Sequence, residues 1–136
     1  MTLIESELER DEGYKSRPYL DTTGHLTIGI GHNLNAAGLC RAAILAQLRF
    51  DIAEKEAHLD AKLPWWRGHP PAVQRVLVNL AFNLGIAGLL TFTTTLAHIK
   101  AKRYAQAADA LMANKRYVKQ IGQRANRLAK QLRSVV

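Results

Sequence analysis

The chain has 136 residues, of which 48% are hydrophobic and 22% are charged, and these values suit one compact globular unit. It contains 19 Lys and Arg residues against 11 Asp and Glu residues, so its formal net charge is +8. No uninterrupted run of ~18 apolar residues indicates a membrane span, and residues 1–20 are too acidic for a signal peptide. We therefore expect a soluble protein with no export signal of its own and no stable membrane insertion.

The first predicted element is a short helix. Thr2 and Glu5 form a capping-box pattern, and Ile4 and Leu8 give the helix one apolar stripe before Gly13. This helix ends at Glu12.

Residues 18–34 predict a small antiparallel sheet. Gly and Pro residues disfavour helix here, Thr22-Thr23-Gly24 is typical of a turn, and the β-branched and aromatic residues favour strands. We expect the turn to bring Asp21 and Thr27 close together.

The rest of the chain is predicted to be helical. Apolar residues recur with helical spacing over about 39–62, which gives a helix of roughly 22 residues and about 33 Å that could link two lobes. A very apolar helix then starts at Pro70-Pro71 and ends at Gly85, and we expect it to form the core of the second lobe. Shorter helical patterns follow around 92–99, 104–112 and 117–132.

These elements predict one domain, residues 1–136, with an α+β, mainly α, fold. It comprises an N-lobe of about 13–38 plus the first helix, a connecting helix of about 39–62 and a helical C-lobe of about 63–136. The single cysteine, Cys40, excludes an internal disulfide and fits a small buried hydrophobe.

Positive charge is concentrated near the C-terminus. Ten Lys or Arg residues lie between Lys100 and the end of the chain, where Asp109 is the only acid. Such a surface attracts polyanions, but charge alone does not choose among nucleic acid, anionic lipid and an acidic cell-wall polymer.

The clearest chemical pattern consists of Glu12, Asp21 and Thr27, where Thr27 opens the run Thr27-Ile28-Gly29-Ile30-Gly31-His32. Cleavage of a glycosidic bond needs one group that protonates the leaving oxygen and another that directs a water molecule. A carboxylic acid, a carboxylate and a hydroxyl beside small glycines meet that need. The pattern favours a sugar-chain hydrolase.

The same residues resemble the signature of the phage-type (T4-like) lysozymes, the muramidases or endolysins that cut peptidoglycan. The spacing of nine residues from acid to acid and six from acid to threonine, followed by Gly-x-Gly-His, is specific in combination. The likeness runs through Asp11-Glu12-Gly13, Tyr19-Leu20-Asp21-Thr22, Gly24, Phe82-Asn83-Leu84-Gly85, Gly88, Phe92 and Arg124-Ala125-Asn126-Arg127. It implies a lysozyme-like two-lobed fold with a small β-sheet N-lobe, a long connecting helix and a helical C-lobe.

The resemblance also implies roles for the three polar residues. Glu12 matches the general acid, and Asp21 matches the carboxylate that orients the attacking water and stabilises positive charge on the sugar. Thr27 matches the hydroxyl that helps to hold that water. Carboxyl groups about 6.5 to 9.5 Å apart would leave room for water and invert the sugar's configuration, whereas about 5 to 5.5 Å would favour a covalent, retaining route.

Further residues are assigned by position in the family. Gly31, Leu34, Phe82 and Asn83 match substrate-binding positions, with Phe82 as an apolar wall and Asn83 as a partner for N-acetyl groups; for Phe82, a core role is the alternative.

Structural residues near the site are assigned in the same way. His32 is expected to pair with an acid on the long helix, best matched by Asp51, and Arg124 is expected near Glu12, with Arg127 near Asp11. The histidines show no metal-ligand spacing with cysteine or with each other, so no metal and no other cofactor are predicted.

The chain departs from the family in three places. It is shorter between Asn35 and the long helix, residues 114–117 stand where relatives carry a Ser and a Trp, and Cys40 lies where a capping Ser is frequent. These departures affect local stability and the shape of the binding surface rather than the catalytic residues.

The sequence thus predicts a monomeric muramidase whose partner is bacterial peptidoglycan. Without a signal peptide it is expected in the host bacterial cytoplasm, from which it reaches the wall during lysis. Two alternatives remain: a catalytically inactive lysozyme-fold protein that binds cell wall or serves in a virion, and a basic nucleic-acid-binding module. No helix-turn-helix or aromatic-basic motif accompanies the basic residues, so no nucleic-acid partner is expected.

Overall fold

The computed structural model describes residues 1–135, which form seven α-helices and one three-stranded antiparallel sheet with strand order β1-β2-β3. The helices are α1 (Leu3–Glu12), α2 (Arg41–Lys62), α3 (Pro71–Leu90), α4 (Thr93–Lys100), α5 (Tyr104–Ala113), α6 (Lys115–Ile121) and α7 (Gln123–Arg133). The strands are β1 (Lys15–Leu20), β2 (Leu26–Gly29) and β3 (His32–Asn33). This architecture confirms the predicted α+β, mainly helical, fold class.

The chain divides into two compact units, Met1–Gln47 and the segment that begins at Leu48. The first unit contains α1, the sheet and the start of α2. The second contains the rest of α2, a single turn of 3-10 helix at Trp66–Gly68, and α3 to α7.

The capping box predicted for α1 is present. The Thr2 hydroxyl accepts a hydrogen bond from the Glu5 backbone N–H, and the Glu5 carboxylate accepts one from the Thr2 N–H. At the other end, Gly13 adopts a φ of 82° and its N–H donates to the Glu9 carbonyl. These caps make Glu12 the last residue of the helix.

The sheet contains the turn that the sequence predicted between Asp21 and Thr27. Strands β1 and β2 pair antiparallel, with Tyr19 opposite Thr27 and Leu20 opposite Leu26. Strand β3 pairs with the other edge of β2, with Asn33 opposite Thr27. The register between Lys15 and Tyr19 is irregular, in the stretch of β1 that contains a proline, which cannot donate to a ladder. Asp21 therefore follows β1 directly, beside Thr27 in β2.

The second unit contains the hydrophobic core of the described residues, and α3 runs through it. Val73, Val76, Leu77 and Leu80 are completely buried, as predicted for the apolar helix after Pro70-Pro71. By length and composition α3 could also cross a membrane, with a mean hydropathy of 1.5. Core helices of globular proteins meet the same criterion, and the buried face of α3 fits that role.

Two glycines set the helix breaks of this unit. Gly85 has a φ of 71°, so the helical geometry of α3 is interrupted where the sequence predicted an end, although helix resumes after it. Gly122 has a φ of 49° and separates α6 from α7. The continuous pattern predicted over 117–132 is therefore wrong, because a left-handed residue cannot continue a right-handed helix.

Residues 114–117 form the cap and the first turn of α6. The Asn114 side chain caps α6 by accepting from the Tyr117 N–H at 3.1 Å, and the buried Tyr117 ring packs edge-on against Phe92 at 5.2 Å. Cys40 is exposed in the loop before α2, so its interpretation as a buried hydrophobe is wrong.

Candidate active site

Glu12 ends α1 with its side chain directly over Gly31, in the turn after β2. A Cβ atom added to Gly31 would lie 2.8 Å from Glu12 Oε2 and 3.0 Å from the Glu12 carboxyl carbon. Gly31 also has a φ of 68°, which disfavours any other residue. The close approach of the acid to the sheet thus depends on a residue without a side chain, and the structure brings Glu12 and Gly31 together.

Asp21 lies in the turn between β1 and β2, and its Oδ1 atom accepts three hydrogen bonds. The donors are the backbone N–H and the hydroxyl of Thr23, at 2.9 and 2.7 Å, and the backbone N–H of His25 at 2.9 Å. Within residues 1–135, no hydrogen bond is made to the other oxygen, Oδ2. One oxygen of this half-buried carboxylate is therefore held by the turn, and the other is available as an acceptor.

These hydrogen bonds lower the pKa of the Asp21 carboxyl. The bond from the His25 backbone contributes most, followed by that from the Thr23 hydroxyl, and both outweigh the opposing effect of partial burial. Bonds to the ionised form favour it over the neutral acid, so Asp21 stays a carboxylate at lower pH than an unperturbed aspartate.

Thr27 is buried in β2, and its hydroxyl donates to the carbonyl oxygen of His25 at 2.9 Å. The same oxygen accepts from the backbone N–H of Asp21 at 2.9 Å. The predicted proximity of Asp21 and Thr27 is confirmed, because both residues donate a hydrogen bond to the carbonyl oxygen of His25. Since the Thr27 proton is already donated, its oxygen is available to a further molecule as an acceptor.

Hydrogen bonds from the His32 side chain stabilise the loop after β3. Its Nε2 atom lies 3.1 Å from the carbonyl oxygens of both Ala37 and Gly38, and carbonyls only accept, so Nε2 carries the proton. Leu34, half-buried at the start of this loop, donates its N–H to the Leu26 carbonyl at 2.7 Å. The pairing of His32 with Asp51 stays a prediction.

In the second unit, Phe82 lines an apolar cavity of about 510 Å³ and is 41% exposed. The neighbouring Asn83 is half-buried, and its Oδ1 atom is buried without a hydrogen-bond partner among the described residues. An unpaired buried acceptor is costly, and no contact among the described residues offsets that cost.

Arg124 has a partner that the sequence did not suggest. Its Nε donates to Asn79 Oδ1 at 2.8 Å and its Nη2 donates to the Asn79 carbonyl at 3.4 Å, which joins α7 to α3. No pattern in the sequence marks Asn79, because the contact joins residues 45 positions apart. The expected proximity of Arg124 to Glu12, and of Arg127 to Asp11, stays a prediction.

A profile of the phage lysozyme family matches residues 9–133, which include Glu12, Asp21 and Thr27. The chain belongs to the phage lysozyme family. The fold described above is therefore the lysozyme-like fold, and membership supports a lysozyme-type glycosidase.

The chain is also similar to three curated proteins at low sequence identity. A probable T4-type lysozyme 1 of Dictyostelium discoideum is 28% identical, over 92% of this chain and 90% of its own length. The endolysin of Salmonella phage P22 is 27% identical, over 79% of this chain and 77% of its own. The pre-baseplate central spike protein Gp5 of Enterobacteria phage T4 is 26% identical over 76% of this chain, but the match spans only 24% of Gp5.

Replacing His32 by Asn should lower the thermal stability of the protein more than its turnover. The shorter side chain loses the bonds to Ala37 and Gly38, and loss of such bonds costs about 1 kcal/mol of unfolding free energy. Thermal unfolding followed by circular dichroism, beside a turnover assay, checks this. An unchanged melting temperature with lost turnover would instead give His32 a catalytic role.

Proposed function

We propose that the protein is a muramidase, an endolysin that hydrolyses the β-1,4 bond between N-acetylmuramic acid and N-acetylglucosamine in bacterial peptidoglycan. One observation carries the proposal: Glu12 lies against the sheet in the same unit in which Asp21 and Thr27 share the carbonyl of His25. Membership of the phage lysozyme family and the similarity to an endolysin support it.

In the proposed reaction, Glu12 is the general acid. Its carboxyl proton moves to the glycosidic oxygen as the bond from that oxygen to the anomeric carbon breaks, and Glu12 is left as a carboxylate. Protonation is needed because an alkoxide is a poor leaving group, and a positioned acid contributes about 100-fold or more.

Water is held by Asp21 and Thr27. Asp21 Oδ2 and the Thr27 oxygen are both acceptors, so one water molecule can donate a hydrogen atom to each and present a lone pair to the anomeric carbon. As the new carbon–oxygen bond forms, the proton of the water passes to Asp21. The ionised Asp21 also stabilises the positive charge that develops on the sugar.

Substrate contacts are assigned to Gly31, Leu34, Phe82 and Asn83. Gly31 lets the sugar chain approach the backbone closely, and Leu34 supplies apolar contact. Phe82 exposes part of its ring, and the half-buried Asn83 is assigned the N-acetyl groups through its side-chain amide. These residues would fix the register of the polymer.

The protein is proposed to act as a monomer, without a metal or other cofactor, and to stay in the host cytoplasm until lysis releases it to the wall. Of the basic residues from Lys100 to Arg133, nearly all are exposed, and Arg133 is paired with Asp109 at 2.7 Å. The exposed cations would attract an acidic wall polymer and raise the rate of encounter.

Glu12→Gln should lower the clearing rate of purified peptidoglycan by about 100-fold or more, because the amide is not acidic enough to protonate the glycosidic oxygen. Glu7→Gln makes the same change at an exposed site on the same helix and should clear at the parent rate. Circular dichroism confirms that both are folded. A folded parent that clears nothing would favour an inactive lysozyme-fold protein of the virion, a possibility suggested by the similarity to Gp5.

Gly31→Ala should reduce activity far more than Gly29→Ala. Both glycines have positive φ values, 68° and 70°, so both substitutions strain the backbone similarly. Only the Gly31 methyl group meets Glu12, whereas that of Gly29 has no atom within 4 Å. We expect roughly 100-fold loss for Gly31→Ala relative to Gly29→Ala, because displacement of a catalytic group by about 1 Å is this costly. Equal clearing rates would mean that Glu12 needs no such close approach.

The basic surface should matter for intact cells and not for purified wall. Lys119→Glu with Lys130→Glu reverses two exposed charges on α6 and α7, and Arg41→Glu with Arg49→Glu makes the same net change on α2. We expect the first pair, and not the second, to lose killing of intact cells at low salt, while both clear purified peptidoglycan normally. Equal killing by both variants would show that net charge, rather than this surface, is responsible.

A further inference from the structure

The turn that carries Asp21 contains a chain of hydrogen bonds that the proposed reaction does not yet use. The Nδ1 atom of His25 lies 2.7 Å from the Thr23 hydroxyl oxygen, which lies 2.7 Å from Asp21 Oδ1. The His25 ring is close to Asp21 as well, with Nδ1 3.8 Å from Oδ2. His25 is about half exposed, so its ring is in contact with solvent.

The direction of these bonds follows from the number of protons. A hydroxyl has one proton and a carboxylate only accepts, so Thr23 donates to Asp21 and must accept from His25. His25 Nδ1 therefore carries a proton, which is always true of the imidazolium and true of only one neutral tautomer. In the other tautomer Nδ1 accepts, and it would draw the Thr23 proton away from Asp21.

We propose that His25 is a positioning residue that acts through the Thr23 hydroxyl to hold Asp21 Oδ1 in the turn, so that Oδ2 is the oxygen that binds the attacking water. The inference rests on the proposed role of Asp21. Turning the carboxylate away from Thr23 would break the three hydrogen bonds to Oδ1 at once. The turn thus fixes the direction in which the other oxygen faces.

The same contacts affect the pKa of the Asp21 carboxyl. Within residues 1–135, the ion pair of the His25 ring is with Asp21, at 3.8 Å from Nδ1 to Oδ2. The hydrogen bonds from the His25 backbone and the Thr23 hydroxyl lower the pKa of Asp21 most, and the charge of the His25 ring lowers it further. Loss of His25 or of the Thr23 hydroxyl should raise the folded-state pKa of Asp21, so the carboxylate is lost at a higher pH as the solution is acidified.

The decisive variants are Thr23→Val, which removes the hydroxyl but keeps the shape, and Thr23→Ser, which keeps the hydroxyl. We expect Thr23→Val to lower kcat on purified peptidoglycan by about tenfold or more, with KM little changed and the acid limb of the pH profile moved upward. Thr23→Ser should resemble the parent in kcat, in KM and in the pH profile. A merely structural role for Thr23 would leave the pH profile in place.

His25→Phe tests the first member of the chain. It should lower kcat and move the acid limb in the same direction as Thr23→Val. Because His25 acts through the hydroxyl, the double variant should lose no more kcat than Thr23→Val alone. Losses that multiply would show that the two residues act independently and would overturn the inference. If His25→Phe does not fold, the Thr23 pair decides.

A titration of the Asp21 carboxyl carbon by NMR separates this inference from the proposed function. If the parent clears no peptidoglycan, the proposed muramidase fails, and a higher Asp21 midpoint in Thr23→Val and His25→Phe still supports the hydrogen-bonded chain. If the parent is active and Glu12→Gln is not, parent-like kcat and pH profiles in Thr23→Val and His25→Phe overturn the inference alone. An unchanged Asp21 midpoint in both variants overturns it in either case.

Discussion

The carbonyl oxygen of His25 accepts two hydrogen bonds, and the arrangement of the candidate active site depends on this one atom. It receives the Asp21 backbone N–H and the Thr27 hydroxyl, both at 2.9 Å. The first bond closes the turn between β1 and β2, and the second uses the hydroxyl proton of Thr27. As a result an ionised oxygen of Asp21 and the Thr27 oxygen are both presented as acceptors, which is the requirement for holding a water molecule by its hydrogen atoms.

The two units have different physical characters. In the second unit, buried Leu, Val, Ala and aromatic side chains from α3 to α7 form one core. In the first, the candidate active site relies on backbone pairing, a capped helix end and glycines with left-handed φ values. Polar groups near a short sheet can be held precisely by such local bonds, because each bond fixes direction as well as distance. The hydrophobic core and the candidate catalytic residues are thus supplied by different parts of the chain.

Short-range contacts also shape two other parts of the chain. Asn114 caps α6, and Tyr117 packs on Phe92. Thr23 and His25 surround Asp21 with donors, so the low pKa of its carboxyl comes from neighbours in the same turn. The carboxylate proposed to hold water is in this way adjusted by two residues of its own turn.

The sequence by itself determined the elements whose signals are local. The capping box, the proline start of α3, the turn at Thr22-Thr23-Gly24 and the motif around Thr27 depend on neighbouring residues, so their pattern predicted the sheet, the helices and the candidate trio. Tertiary structure decided what depends on distance or on backbone angle: the contact of Glu12 with Gly31, the bond from Arg124 to Asn79, and the helix break at Gly122. A sequence pattern records spacing along the chain, whereas these features arise from side-chain directions and backbone angles that only the folded chain sets.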